Sequence, residues 1–302
     1  MERIKRGSGR KKRFSLKKLL FFILILGGVF GLIKSQTRVW NGRDKLVVAV
    51  NSTDEIVVST FDPETSEITN IYIPGETQVS SSRQLGTFRI KNIWKLGKNE
   101  KVGGILLAET VTKNFKFPVS SWADEKGLAF SSADAADAIG AIFSPFDTNL
   151  GIGDRLALLI FSLKVKNTNR VEIKLAQTNY LKSAKLIDGE EGYLISGSSS
   201  QAVASIFADS EFSSKALRIV IKNETGETTD AVWVAQLLEV LGGKVSSIVK
   251  GETKSYNCEV LGDEKTIVRK VAAILGCKVG GSITEGNFNL EVKLGRGFAE
   301  RF

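Results

Sequence analysis

The 302-residue sequence predicts an α/β protein, made of an N-terminal transmembrane helix, a larger α/β unit and a small β-α-β-β-α-β sandwich at the C-terminal end. Three observations predict it. A basic tail runs into an uncharged apolar segment; three short β-rich runs then precede two helical ones; and residues 216–302 alternate strand and helix in an order that closes one small layered unit. The organisation that follows is a tail over 1–18, a transmembrane helix over 19–33, a linker over 34–44, an α/β domain over 45–208, a linker over 209–215 and a second domain over 216–302.

Up to Lys18 the tail carries nine basic residues and a single acid, Glu2, and fifteen uncharged residues follow from Leu19 to Ile33. The excess of Lys and Arg holds this flank in the cytoplasm, so the body is expected outside, on a single-pass chain in the cell membrane. As a helix the apolar run spans roughly 22 Å at ~1.5 Å per residue, short of a ~30 Å hydrocarbon core, a length that also suits the apolar region of a cleaved signal peptide. Retention as a signal-anchor is favoured over cleavage by two features. Lys17, Lys18 and Lys34 can snorkel from both ends, with Trp40 at interfacial depth, and no pair of small residues in the A-x-A pattern follows Ile33. Beside an apolar run, the Lys/Arg cluster is a topology signal rather than a nucleic-acid arm.

Removing the tail's nine bases and one acid from totals of 42 and 33 leaves 33 and 32, so the high isoelectric point belongs to the tail. A near-neutral body does not suggest a nucleic-acid-binding face. The sequence contains no His, which excludes His-based acid/base catalysis, Ser-His-Asp triads and His metal sites.

In the body, Lys45–Val50 is a Val-rich run, Glu55–Thr60 a second strand, Phe61–Ser66 a turn and Glu67–Ile73 a third strand, which together read as a meander. Pro74-Gly75 ends it. A helix is predicted over Gly103–Asn114, where Ile105, Leu106, Ala108, Glu109, Val111 and Thr112 wrap round the axis, and another over Asp154–Val165. Val171, Ile173 and Leu175 alternate with Glu172 and Lys174 as a half-buried strand, and Asp188-Gly189 turns the chain before Tyr193–Ile195. A short helix around Gln201–Phe207 closes the domain, while the Ser- and Ala-rich stretch Ser131–Ala141 has no clear assignment.

In the second unit, Leu217–Ile221 is a strand, Asn223–Gly226 a turn, and Thr228 or Thr229 the expected cap of a helix carrying Ala231, Val234, Ala235, Leu238 and Leu241 on one face and ended by Gly242-Gly243. Val245–Val249 and Tyr256–Leu261 are strands, Glu264–Leu275 is a helix ended by Gly276, and Phe288, Leu290, Val292 and Leu294 alternate along a last strand. The register leaves Trp233 on the outer face of its helix, where it can stack on a sugar ring or pack against the first domain. Cys258 and Cys277 are the only cysteines, both in the exported unit, and the helix between them runs back far enough to return one to the other. A disulfide is therefore expected, against the alternative of two separately buried thiols.

Several segments resemble a known family. Asn51-Ser52-Thr53-Asp54, Ile56-Val57-Val58-Ser59, Asp62-Pro63-Glu64-Thr65 and Ile73-Pro74-Gly75-Glu76-Thr77 are similar to the opening of the LytR-CpsA-Psr domain, whose members read roughly G-S-D-(S/T) and later S-I-P-R-D-T. Arg89-Ile90-Lys91-Asn92-Ile93-Trp94 and Asn114-Phe115-Lys116-Phe117-Pro118-Val119 resemble two further segments of that domain. The resemblance implies a membrane-tethered, extracytoplasmic phosphotransferase that moves an envelope glycopolymer from a polyprenyl pyrophosphate carrier to peptidoglycan, usually with a divalent cation. Its site candidates here are Asp54, Glu76, Arg83 and Arg89, with Asp54 and Glu76 as the pair able to hold Mg²⁺.

The departures fall on the chemistry. Gly75 stands where that family has Arg and Glu76 where it has Asp, and Gly153-Asp154-Arg155 is the nearest remnant of an Arg-dense segment. The C-terminal unit resembles the LytR C-terminal domain through Asn223-Glu224-Thr225-Gly226 and Leu294-Gly295-Arg296-Gly297-Phe298, which implies a wall-binding module and no reaction. Asn223, Thr225, Gly226 and Trp233 are its binding candidates, set against a purely structural role for the turn. The favoured expectation is a non-catalytic cell-envelope protein without a cofactor, binding or organising wall glycan such as peptidoglycan. The alternative is a divergent phosphotransferase acting on polyprenyl-linked lipid with Mg²⁺.

Overall fold

Leu46–Asn51 (β1) is apolar from Leu46 to Val50, and a strand of that kind has to be covered on both faces. It is. The structure, a computed structural model, describes residues 39–196, 205–215, 217–283 and 286–302. The predicted transmembrane helix over 19–33 lies outside these residues, as does most of the short helix expected around Gln201–Phe207. Among the described residues no helix is long and apolar enough to cross a membrane.

β1 pairs antiparallel with Glu55–Asp62 (β2), which pairs antiparallel with Glu67–Pro74 (β3), giving the predicted meander. A small two-stranded ribbon, Gln78–Ser80 (β4) with Thr87–Arg89 (β5), follows it. Two helices come next, Ile93–Asn99 (α1) and Ile105–Phe115 (α2), then the short strand Ser121–Ala123 (β6). The Ser/Ala-rich stretch forms Ala135–Phe143 (α3), started by Asp134, whose carboxylate accepts from the backbone N–H groups of Ala136 and Asp137. Ile152–Lys164 (α4), Arg170–Lys174 (β7) and the hairpin Leu181–Lys185 (β8) with Glu191–Ile195 (β9) complete the unit.

Its sheet has the order β6-β1-β2-β3-β7, with both outer strands added in parallel. Alternate residues of the central strands point to opposite layers. Val47, Ala49, Ile56, Val58 and Ile71 pack with Leu106, Leu107 and Val111 of α2; Leu46, Val48, Val50, Val57 and Ile68 pack with Leu158 and Leu159 of α4 and with Trp40. The architecture is helix, sheet, helix.

The stretch 209–215, expected as a linker, carries a helical turn, Ser210–Ser214 (α5), capped by Asp209, and its Phe212 is fully buried in the second core. Then come Arg218–Glu224 (β10), Thr228–Val240 (α6), Lys244–Lys250 (β11), Cys258–Gly262 (β12), Lys265–Leu275 (α7), Lys278–Val279 (β13), Leu290–Gly295 (β14) and Arg296–Arg301 (α8). The expected β-α-β-β-α-β order is present, with a two-residue strand and a terminal helix added. The sheet order is β11-β10-β14-β12-β13, and α6 and α7 share one core with it.

Trp40 is buried rather than interfacial: it is 3% exposed, packs edge-on against Phe161 and donates its indole N–H to the backbone oxygen of Asp44. Asp154, at the start of α4, accepts from the backbone N–H of both Val39 and Trp40, which draws this segment onto the body.

Candidate functional site

The I-P-G-E-T corner leaves β3 at Pro74 and closes on backbone. Gly75 donates its N–H to the carbonyl of Asp54 at 3.0 Å and accepts from the N–H of Lys91 at 3.2 Å. A Cβ on Gly75 would lie 2.4 Å from the Asp54 oxygen, a separation no side chain tolerates. The arginine that the resemblance leads one to expect therefore has no room here unless β2 and β3 move apart. Asp54 itself is exposed on the turn between β1 and β2, and it contributes its backbone oxygen to this corner.

Glu76 faces cations. Its carboxylate is held by Arg89 and by Lys91. Arg89 in turn donates through Nε to Asp188 at 2.8 Å and lies 3.6 Å from Glu190. The Asp188 hydrogen bond raises the guanidinium's affinity for its proton, and the same bond holds the Asp188 carboxyl below the usual carboxylate range. Three carboxylates thus surround two cations, leaving the cluster at net −1. A pyrophosphate requires the reverse balance. Glu76 is already shared between two cations, and no group of three or more Asp, Glu, Cys or His side chains converges among the described residues.

Arg83 is turned elsewhere. It follows β4 with a left-handed backbone (φ +62°), as does Gln84 (φ +55°), and its Nε and Nη2 reach the buried carboxylate of Glu109 on α2 at 3.0 and 3.3 Å. Arg301, on the terminal helix α8, approaches the same carboxylate at 3.7 Å and donates to the backbone oxygen of Gly276 at 2.9 Å. Gln84 reaches the carbonyl of Ala299. Burial pushes the Glu109 carboxyl up, and the two arginines oppose it. These contacts join the two units. The lone carboxylate of α2, set among Leu106, Leu107, Ala108 and Val111, was the sequence signal for such a cluster; its partners, 26 residues upstream and at the far end of the chain, left none.

The remnant Gly153-Asp154-Arg155 is also structural. Asp154 is fully buried and ties Gly151, Val39 and Trp40 together through their N–H groups. Arg155 stacks on Phe146 at 4.1 Å and donates to the carbonyls of Leu150 and Ser144.

In the second unit Asn223 Oδ1 accepts from the N–H and the hydroxyl of Thr225, and its amide donates to the carbonyl of Glu227. Thr225 Oγ1 accepts the N–H of Glu227 at 2.9 Å, which organises the entry to α6 in place of the expected cap by Thr228 or Thr229. Gly226 takes φ +95°, the left-handed turn position. Asn223 and Thr225 are buried and satisfy each other, so they present little to a ligand. Trp233 corrects the outward reading of its register. It is 9% exposed, stacked on Phe298 at 5.5 Å and against Phe302 at 4.9 Å. Lys116 of the first unit lies 5.8 Å above its ring. Burial, reinforced by Lys113, lowers that lysine's pKa to about 8.

Cys258 and Cys277 form the expected disulfide, with Cα atoms 4.8 Å apart. Where the two units meet near the start of the described chain there is a cleft of about 720 Å³, lined among others by Trp40, Lys45, Phe207, Arg269 and Ile274. Asp54, Glu76, Arg83 and Arg89 do not line it.

No protein-family model matches the chain, and no curated protein matches it. Solved structures similar to it include Bacillus subtilis TagV, at 13% identity over 55% of this chain and 95% of that one, with a TM-score of 0.40. TagT with bound octaprenyl pyrophosphate lipid, a LytR-CpsA-Psr family protein, is similar at 14% identity over 57% and 90% of the two chains, TM-score 0.38. A Listeria innocua protein is similar at 12% identity over 51% and 92%, TM-score 0.37.

Proposed function

We propose that the protein is a membrane-anchored, extracytoplasmic component of the cell envelope that does not transfer glycopolymer and instead binds or organises wall glycan. The observation that carries the non-catalytic part is the charge cluster at Glu76. Transfer from a polyprenyl pyrophosphate requires fixed cations facing the phosphate oxygens, and losing one such contact commonly costs ~10²-fold or more in rate. Here Gly75 has no space for an arginine, Arg89 is ringed by Glu76, Asp188 and Glu190, and Arg83 is turned to Glu109. Several such contacts are lost together. The envelope location is supported by the basic tail and apolar run, and the wall-glycan role by the resemblance of the Asn223–Gly226 and Leu294–Phe298 segments to a wall-associated domain.

Purified full-length protein in detergent, given a polyprenyl-pyrophosphate-linked glycan and isolated peptidoglycan, should release no polymer-bearing wall product with or without Mg²⁺, while sedimenting with the wall. Mg²⁺-dependent product that disappears on Asp54→Ala or Arg89→Ala would overturn this in favour of the divergent phosphotransferase. Failure to sediment with wall would remove the glycan-binding half alone.

A further inference from the structure

The layer formed by α3 and α4 ends in an apolar outer face. Of the residues exposed on α4, Ile152, Leu156, Ile160 and Leu163 are apolar and only Lys164 is charged. Their spacing, i, i+4, i+8 and i+11, lines them along one side of the helix. On α3, which packs against α4, Ile139 and Phe143 are exposed one turn apart, Phe143 to 83%. The charges that α4 carries near its start are turned inward: Asp154 to Val39 and Trp40, Arg155 to backbone carbonyls and Phe146. A helix apolar on both its buried and its exposed sides is not built for water. At 13 residues it spans about 20 Å of axis, too short to cross a bilayer but long enough to lie on one.

The chain itself says which apolar surface is near. Val39 is bonded to the first turn of α4 through Asp154 at 3.3 Å, and six Cα steps separate Val39 from Ile33, where the apolar run ends. Six steps reach at most roughly 20 Å. If residues 19–33 sit in the membrane, the start of α4 is held within that distance of its outer surface. We propose that α4, with Ile139 and Phe143 of α3, lies on the outer leaflet with this stripe in the headgroup–acyl boundary, so that the body is docked on the bilayer rather than swinging from a tether. This rests on the membrane-anchored reading above.

The test uses full-length protein reconstituted in vesicles of phosphatidylethanolamine and phosphatidylglycerol. The two native cysteines are joined, so a thiol introduced by Ile160→Cys takes a spin label selectively under non-reducing conditions. Accessibility to oxygen and to a water-soluble nickel chelate reports depth. Docking predicts a several-fold loss of nickel accessibility and a gain of oxygen accessibility at position 160 on moving from lipid-free detergent to vesicles. A label at the exposed Lys265→Cys on α7 should not change. Leu156→Glu with Leu163→Glu, both at exposed positions, should return the label at 160 to the aqueous values while the protein still floats with the vesicles. A label that stays aqueous on protein that floats overturns the docking and leaves the anchor intact. Protein that does not float overturns the anchor, and the docking with it. Spin–spin broadening at 160 with loss of both accessibilities assigns the stripe to a second copy of the chain instead.

Discussion

Removing the Glu109 carboxylate should loosen the hold between the two units, and the size of the effect follows from what surrounds it. Glu109 is 8% exposed and Arg301 16%, while Arg83 is 31% exposed. In Glu109→Ala, Arg301 loses its counter-charge while remaining against Phe298 and Phe302, at 5.6 and 4.8 Å, where water reaches it poorly. Breaking one partner of a buried pair costs ~3–5 kcal/mol, and because Arg83 is partly exposed and Arg301 comes only to 3.7 Å, the low end, about 3 kcal/mol, is expected. The Ser82–Gln84 turn, with two consecutive left-handed non-glycine residues, also loses a fastening. For a chain of this size 1 kcal/mol moves the thermal midpoint by about 2–4 °C, so Glu109→Ala should melt about 6–12 °C below the parent. Calorimetry checks this, and a double-mutant cycle with Arg301→Ala should give a coupling of about 1 kcal/mol or more. A midpoint within about 2 °C of the parent, or additive single mutants, would show that the cluster does not couple the units.

Other perturbations probe other parts of the molecule. Gly75→Arg should restore no transferase activity and should lower the denaturation midpoint, since its Cβ meets the Asp54 carbonyl at 2.4 Å; activity gained with an undisturbed midpoint contradicts the packing. Reduction of Cys258–Cys277 should cost about 3 kcal/mol in the chain-entropy model, read as a fall in the urea midpoint with reductant. Lys116, with its folded pKa lowered to about 8 from 10.5, costs stability while charged and burial holds it there, so the cost is full below pH 8 and relieved as pH rises towards 10.5. The urea midpoint should therefore rise between pH 7.5 and 9.5 more in the parent than in Lys116→Met, and equal slopes would refute this.

The first sheet was legible because its strands carry their burial in their composition. Leu46–Val50 has no polar residue, so a strand covered on both faces follows from sequence, as does the meander marked by Asp62-Pro63 and Pro74-Gly75. α3 was not legible, because Ala, Ser and Gly carry a weak period and the Asp134 cap is visible only once the helix is known. Trp233 shows why a helical register alone misplaces a side chain. α8 folds back and covers it with Phe298 and Phe302, a return that local periodicity does not encode. The partners of the site residues were hidden for a related reason. Arg89 reads as a phosphate ligand until the β8–β9 hairpin, 99 residues on, brings Asp188 beside it.

What an arginine does in this fold is thus decided by the acids and carbonyls that tertiary structure delivers to it, and the same holds for the segment that leaves the predicted membrane anchor. Residues 39–45 would be a free connector if their polar groups were solvated. Instead Asp154 takes the N–H groups of Val39 and Trp40, Lys270 of the second unit lies 3.8 Å from Asp44, and Lys45 donates to the carbonyls of Ile206 and Ala208. The connector is fastened to α4, to the second unit and to the segment that joins the units. Residues 39–45, fixed at so many points, belong to the folded body, because pulling them away would require breaking several of these bonds together. The orientation of α4 and its apolar stripe relative to the segment that begins at Val39 is then a property of the folded protein.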